Sequence, residues 1–242
     1  MSARRHFAIA AAIWAVLSVL GIAAVAGIQI LPVIASREAE VVDRAFVVLT
    51  AVSVPVLMLV VVAIGYSAVR FRSDGSDEVD APAPAVRGHR LFEVGWVAVT
   101  TVAVLLLAAY GTAGLLEIRG DQNADLEVRV MATQWKWSFE YPASGVKSKD
   151  LVLPSDVRVR FTLESDDVIH SFYVPAFGIK NDVVPGRRSV IYVTVTVPGT
   201  YGVQCAELCG FGHTRMLGPV RVLERSEFDA WLGDQKEQPP SG

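Results

Sequence analysis

The run Cys205-Ala-Glu-Leu-Cys-Gly-Phe-Gly-His-Thr-Arg-Met216 gathers two thiols, an imidazole and a thioether within twelve residues. Sulfur donors combined with imidazole suit copper, and a His/Cys/Met set belongs to electron transfer because the weak thioether tunes the reduction potential. Such a set calls for a second imidazole. Of the four histidines, His6 abuts an apolar N-terminal run and His89 lies in a basic polar stretch, which leaves His170 as the partner of His213 in the polar C-terminal half. Two cysteines exceed the needs of a single blue-copper ion. A spacing of four lets both sulfurs turn inward from one folded loop and bridge two metals, so a dinuclear copper centre is one expectation. Two plainer ones stand beside it. Cys205 and Cys209, the only cysteines, could form a simple disulfide in an exported domain. A structural Cys2His2 zinc site would use both cysteines and both histidines, but it leaves Met216 without a task and would usually separate the ligands into two pairs. Met216 alone would more often be core packing; its place three residues after His213 is what marks it.

The elements that must position these groups fall into two kinds. Of 242 residues 52 % are hydrophobic, with mean hydropathy +0.41, and the apolar residues crowd the first half. Residues 45–69 hold no charge and are long enough for a helix across a ~30 Å hydrocarbon core, and a second such run covers 94–116. Between them lies a polar linker whose ends carry Arg70, Arg72, Arg87 and Arg90, which places it on the cytoplasmic side and returns the C-terminal part outside. Arg4-Arg5 followed by an apolar run from 7 to 35 reads as a secretory signal or a third membrane helix. The run is about twice the ~7–15 residues of a signal core, yet Val33-Ile-Ala-Ser36 offers small residues for a peptidase. Either reading exports the same domain.

From about 120 the pattern changes to alternating segments, Leu126 to Ala132, Val157 to Leu163 and Ser189 to Val197, separated by Pro142, Pro154, Pro185-Gly186 and Pro198-Gly199. That predicts a β-sandwich or barrel. Ser226 followed by Glu227 predicts a short closing helix. In Gln134-Trp-Lys-Trp-Ser-Phe-Glu-Tyr-Pro142, alternation puts Trp135, Trp137, Phe139 and Tyr141 on one strand face, for which the ordinary expectation is core. The segment from 120 is only mildly acidic, with 16 Asp and Glu against 13 Lys and Arg.

Three segments together, Asp167-Val-Ile-His-Ser-Phe-Tyr-Val-Pro175, Gly178-Ile-Lys-Asn-Asp-Val-Val-Pro-Gly-Arg187 and the Cys205 to Met216 loop, resemble the subunit II of haem-copper cytochrome c oxidases. The resemblance covers nearly everything from 45 to about 233. It implies a membrane-anchored all-β protein: a transmembrane helical hairpin over 36–118 and a cupredoxin-like Greek-key β-sandwich over 119–234. Residues 1–35, a signal or extra helix, precede these, and 235–242 are expected as a disordered tail. It also implies a dinuclear CuA centre with side-chain ligands His170, Cys205, Cys209, His213 and Met216. Glu207 offers its carbonyl there, and its carboxylate points toward a magnesium ion shared with subunit I.

By the same resemblance Trp135 is the surface port where cytochrome c delivers its electron, Glu140 and Asp167 help attract that partner, and Glu93 in Leu91-Phe-Glu-Val-Gly-Trp96 stands at the entrance of a proton path into subunit I. For Glu93 the plainer reading is a solvated interfacial acid. Lys136, Thr100 and Val203 depart from the family pattern. The partners expected are subunit I, subunit III, cytochrome c and membrane lipid, with no nucleic acid. The location expected is a bacterial plasma membrane with the copper domain outside. No Cys-x-x-Cys-His occurs, so no attached c-type haem is expected. A quinol oxidase subunit would lack the metal ligands, and a tethered copper carrier would not need Trp135, Glu93 or two helices.

Overall fold

A computed structural model of the chain describes residues 2–28, 33–72, 88–120 and 122–237. The linker residues 73–87 and the last five of the expected tail lie outside the described residues. The chain divides into two units, Met1–Ile30 with Arg44–Ala113, and Leu31–Asp43 with Gly114–Gly242.

Three helices, α1 (Ala3–Gly27), α2 (Arg37–Arg70) and α3 (Arg90–Arg119), are each long and apolar enough to cross a membrane. Lipid offers no partner to backbone polar groups, so an apolar run there must satisfy them within a helix. The N-terminal run is accordingly helical over Ala3–Gly27, and α1 has its own contacts with α2. The Trp14 indole donates to the Pro55 carbonyl at 2.8 Å, and His6 Nδ1 lies 2.8 Å from the Tyr66 hydroxyl. Pro55 falls inside α2 without ending it, as membrane helices tolerate. In α3 the Thr100 hydroxyl bonds back to the Trp96 and Val97 carbonyls at 3.0 and 3.1 Å, and the helix runs through this position unbroken.

The second unit is a sandwich of two five-stranded sheets. One has the order β3 (Val146–Ser148), β2 (Lys136–Tyr141), β1 (Leu126–Thr133), β5 (Val157–Ser165), β8 (Ser189–Val195). The other has the order β4 (Leu151–Pro154), β10 (Leu217–Leu223), β9 (Gly199–Cys205), β6 (His170–Val174), β7 (Ile179–Val183). Pairing is antiparallel except for β1 with β5 and β4 with β10. Inward positions alternate as the pattern requires: Val128, Val130 and Ala132 on β1, and Val157, Val159, Phe161 and Leu163 on β5, are buried. Tyr141 joins the sheets, because its buried hydroxyl donates to the Val152 carbonyl at 2.7 Å and accepts from the Val152 N–H at 2.9 Å. Val203 fills core space that Gly218, its register partner on β10, leaves open.

The closing helix α4 (Arg225–Glu237) starts one residue before Ser226, which therefore sits in the first turn rather than at the cap. It continues through Glu237, so residues 235–237, expected in a tail, are helical. Its Trp231 packs edge-on to Tyr141 with ring centroids 5.3 Å apart.

The start of α2 belongs to the sandwich unit. Ala35 and Ser36 are fully buried, with Ala35 N–H donating to Ala176 at 2.8 Å, Thr196 N–H donating to Ala35 at 2.9 Å, and Ser36 bridging to Val195. The small residues Ala35 and Ser36 are thus packed within the sandwich. Ser36 Oγ then accepts from the Ala39 N–H at 2.9 Å, capping the helix, and Glu38 and Glu40 in the first turn favour its dipole.

Glu38 is nearly fully buried, 3.0 Å from Arg158 Nη1 and accepting from the Thr194 N–H at 2.8 Å. Removing one member of a buried ion pair strands the other charge and costs about 3–5 kcal/mol. Arg158→Met is therefore expected to lower the chemical denaturation midpoint of the full chain in detergent by that much stability. An unchanged midpoint would show that the pair carries no such weight.

Candidate metal centre

Strand register brings the candidate ligands to one end of the sandwich. Phe172 on β6 stands opposite Cys205 at the end of β9. His170, two residues earlier on the same face of β6, therefore projects just beyond the strand pair into the loop that follows β9. That loop is closed at its neck by Cys205 N–H donating to Met216 at 3.0 Å, and tied to β6 by Ala206 N–H donating to Ser171 at 3.0 Å. A single turn of 3-10 helix, His213–Arg215, returns the chain to β10.

Inside the loop the donor atoms converge. Cys205 Sγ and Cys209 Sγ are 3.8 Å apart, and both cysteines are free. A disulfide would need about 2.05 Å, so the simple-disulfide expectation does not describe this chain as folded. His170 Nδ1 lies 3.9 Å from Cys205 Sγ, His213 Nδ1 3.6 Å from Cys209 Sγ, and Met216 Sδ 3.8 Å from Cys209 Sγ. The Glu207 carbonyl is 3.2 Å from Cys205 Sγ. Among the described residues, the ligand atoms of His170, Cys205 and Cys209 all lie within 4.8 Å of one another. Met216 and His170 are fully buried, and the Met216 thioether sulfur lines the site beside Cys209. Burial, then the neighbouring Cys205, pushes the Cys209 thiol up to about 11; a bound cation ionises such a thiol outright. Thiol, imidazole and thioether donors around one buried spot are the set that copper prefers.

Asp167 orients the first imidazole. Its Oδ1 lies 2.9 Å from His170 Nε2, leaving Nδ1 aimed at the sulfurs, an arrangement that holds ring and tautomer of a metal-binding histidine. Burial alone would raise this carboxyl, but hydrogen bonds from His170, from Gln134 N–H and from Val168 N–H hold it down at about 2. Gln134 is a site residue that pattern reading passed over. Its N–H donates to Asp167 Oδ2 and its Nε2 to the Cys209 carbonyl, both at 2.7 Å, so one side chain and its backbone join the Asp167 turn to the metal loop. Nothing in its place before Trp135 marked it for this.

The aromatic segment divides. Trp137, Phe139 and Tyr141 are buried on the inner face of β2, whereas Trp135 precedes the strand, stays 40 % exposed, and donates its indole N–H to the Cys209 carbonyl at 3.2 Å. The peptide between Gln134 and Trp135 is cis. Glu140 is half-buried on the outward side of β2 with Arg129 and Lys147 as its cross-strand neighbours. Glu207 is exposed. Glu93 is exposed in the first turn of α3, where an acid favours the helix dipole, next to His89, whose Nδ1 accepts from the Phe92 N–H at 3.2 Å.

A family model described as cytochrome c oxidase subunit II, periplasmic domain, matches residues 146–223. Cytochrome c oxidase subunit 2 of Synechocystis is 30 % identical, in an alignment covering 87 % of this chain and 77 % of that one. This chain belongs to the cytochrome c oxidase subunit II family. A probable cytochrome c oxidase subunit 2 of Rickettsia felis is 28 % identical over 79 % of this chain and 66 % of its own. Among solved structures, the periplasmic domain of subunit II of the Bradyrhizobium japonicum cytochrome oxidase is 32 % identical, covers 48 % of this chain and 96 % of its own, and has a TM-score of 0.46.

As a subunit II, the chain is a component of an oxidoreductase, built from membrane-spanning helices and a cupredoxin-like domain outside the membrane. His170, Cys205 and Cys209 are its candidate copper ligands.

Proposed function

We propose that this subunit II accepts single electrons from cytochrome c at a dinuclear CuA centre and passes them to haem in subunit I, where oxygen is reduced to water with proton translocation. The observation that carries the reading is the convergence of six donors, from His170, Cys205, Glu207, Cys209, His213 and Met216, two of them free, buried sulfurs. Two copper ions held by these residues would supply one-electron redox chemistry.

The chain's own contribution is rigidity and access. Backbone bonds at the loop neck, and the Asp167 hold on His170, keep the ligands in place before any metal arrives, so little rearrangement accompanies a change of charge. Trp135, exposed on one side and hydrogen-bonded to Cys209 on the other, is the electron port. Glu140 and Asp167 help draw in a basic cytochrome c, an effect on encounter rate that falls as salt rises. Arg129 and Lys147 beside Glu140, and Lys136 next to Trp135 in the chain, make that pull weak. Glu207 would offer its carboxylate to a magnesium ion shared with subunit I, and Glu93 receives protons at the cytoplasmic end of α3 for a path into subunit I. The complex contains subunit III as well and lies in a bacterial plasma membrane, with the linker inside and the copper domain outside.

Copper analysis with electron paramagnetic resonance on the full chain, purified in detergent and loaded with copper, tests this reading. The expected result is two coppers per chain sharing one unpaired electron, seen as a seven-line hyperfine pattern. One copper with a four-line signal, or none, would overturn it.

A further inference from the structure

The Trp135 indole rests on the backbone of the metal loop at Gly210-Phe211-Gly212. A β-carbon built at Gly212 would stand 2.6 Å from Trp135 Cγ and 2.7 Å from its Cε3, and closer still to Cδ2. One at Gly210 would stand 2.9 Å from Gln134 Nε2 and 3.5 Å from Trp135 Cζ2. The two glycines have different reasons to be glycine. Gly210 has φ +110°, a conformation that side chains rarely adopt. Gly212 has φ −90° and ψ 8°, the ordinary geometry of a turn and open to any residue. Its backbone therefore does not call for glycine, and the indole above it does.

We infer that Gly212 is a positioning residue for Trp135, its missing side chain forming the seat on which the indole lies. The inference rests on the reading of Trp135 as electron port. Any side chain at 212 lifts the ring, and the ring's tie to the loop is the N–H bond to the Cys209 carbonyl, at 3.2 Å, on the same residue as one of the two sulfurs. Lifting the indole stretches that bond and widens the gap an electron must cross between the surface and the loop. The seat is also specific in shape: the flat ring covers backbone at 210 and 212 at once while Phe211 points away, 91 % exposed.

The test separates the seat from the port by using two backgrounds. In the metal-free full chain, Gly212→Ala is expected to lower the thermal midpoint of the outer domain by about 5 °C when Trp135 is present, because a methyl group is forced into an occupied space. In a Trp135→Ala background, where the ring is gone, the same substitution is expected to cost nothing, a coupling that independent sites would not show. An equal loss in both backgrounds, or no loss in either, overturns the seat. In the assembled oxidase, Gly212→Ala is expected to slow cytochrome c oxidation ~tenfold, as a misplaced reacting group does, with copper content unchanged. A wild-type rate for Gly212→Ala beside a slow Trp135→Ala overturns the proposal. If Trp135→Ala itself keeps the wild-type rate, the port reading fails, and the thermal coupling alone decides the seat.

Discussion

Cys209→Ser is expected to abolish the seven-line copper signal and to leave at most one copper per chain. Cys209 is the hub of the donor set: its sulfur lies within 3.8 Å of Cys205 Sγ, His213 Nδ1 and Met216 Sδ. A serine hydroxyl keeps the volume but is a hard oxygen that stays protonated, so it neither bridges nor suits copper as thiolate does. Two equivalent copper nuclei, each of spin three-halves, give seven lines, and one gives four, so the spectrum counts the metals sharing the electron. The outer domain should stay folded, because Cys209 lies in a loop while the strand pairing and the β1 and β5 core contacts are elsewhere. Circular dichroism of the variant checks this. With the fold intact and the bridge lost, cytochrome c oxidation by the assembled complex should fall to background. Two coppers and seven lines in Cys209→Ser would refute the bridging role.

The same hub explains why the site was more legible in the chain than the fold around it. Ligand types and spacings survive folding unchanged, so Cys205, Cys209, His213 and Met216 announce themselves in one run, and His170 follows from the scarcity of histidine. Strands show in sequence only where one face is wet. β1, β2, β5 and β8 alternate and were readable; β4, Leu151–Pro154, is buried at all four positions and has no alternation to read. β9 and β10 carry Gly199, Gly202, Gly218 and Pro219, which read as turns in one dimension. They persist as strands because their hydrogen bonds go to each other and because Gly218 makes room for Val203. The early start of α2 was hidden for a related reason: Glu38 looks like a solvated acid until Arg158, 120 residues away, is brought beside it. Gln134 and the orienting role of Asp167 depend on three turns meeting at one end, and no local pattern encodes that meeting. Trp135 was the reverse case. Alternation assigned it with Trp137, Phe139 and Tyr141 to one face, but the strand begins at Lys136, so Trp135 is free to turn out over the metal loop.

That outward turn sets the last expectation. Trp135→Phe removes the indole N–H that reaches the Cys209 carbonyl and shortens the ring lying between solvent and loop. Because Trp135 is 40 % exposed and lies outside the strand, the change should cost little stability, within the range of about 0.5 kcal/mol usual for surface sites. Copper content and the resonance spectrum should match the unaltered chain, since the remaining contacts that hold the Cys209 carbonyl include the Gln134 amide at 2.7 Å. What should fall is the rate at which reduced cytochrome c is oxidised, by roughly ten- to a hundredfold, the sensitivity expected when a reacting group is displaced by about an ångström. The loss should appear at saturating cytochrome c as well as at low concentration, because the indole is assigned to the transfer and not to attraction. A substitution that merely weakened docking would raise KM and spare the maximal rate. If Trp135→Phe keeps the full maximal rate with normal copper, electrons reach the loop by another route, and the exposed face of Trp135 serves the partner's contact alone.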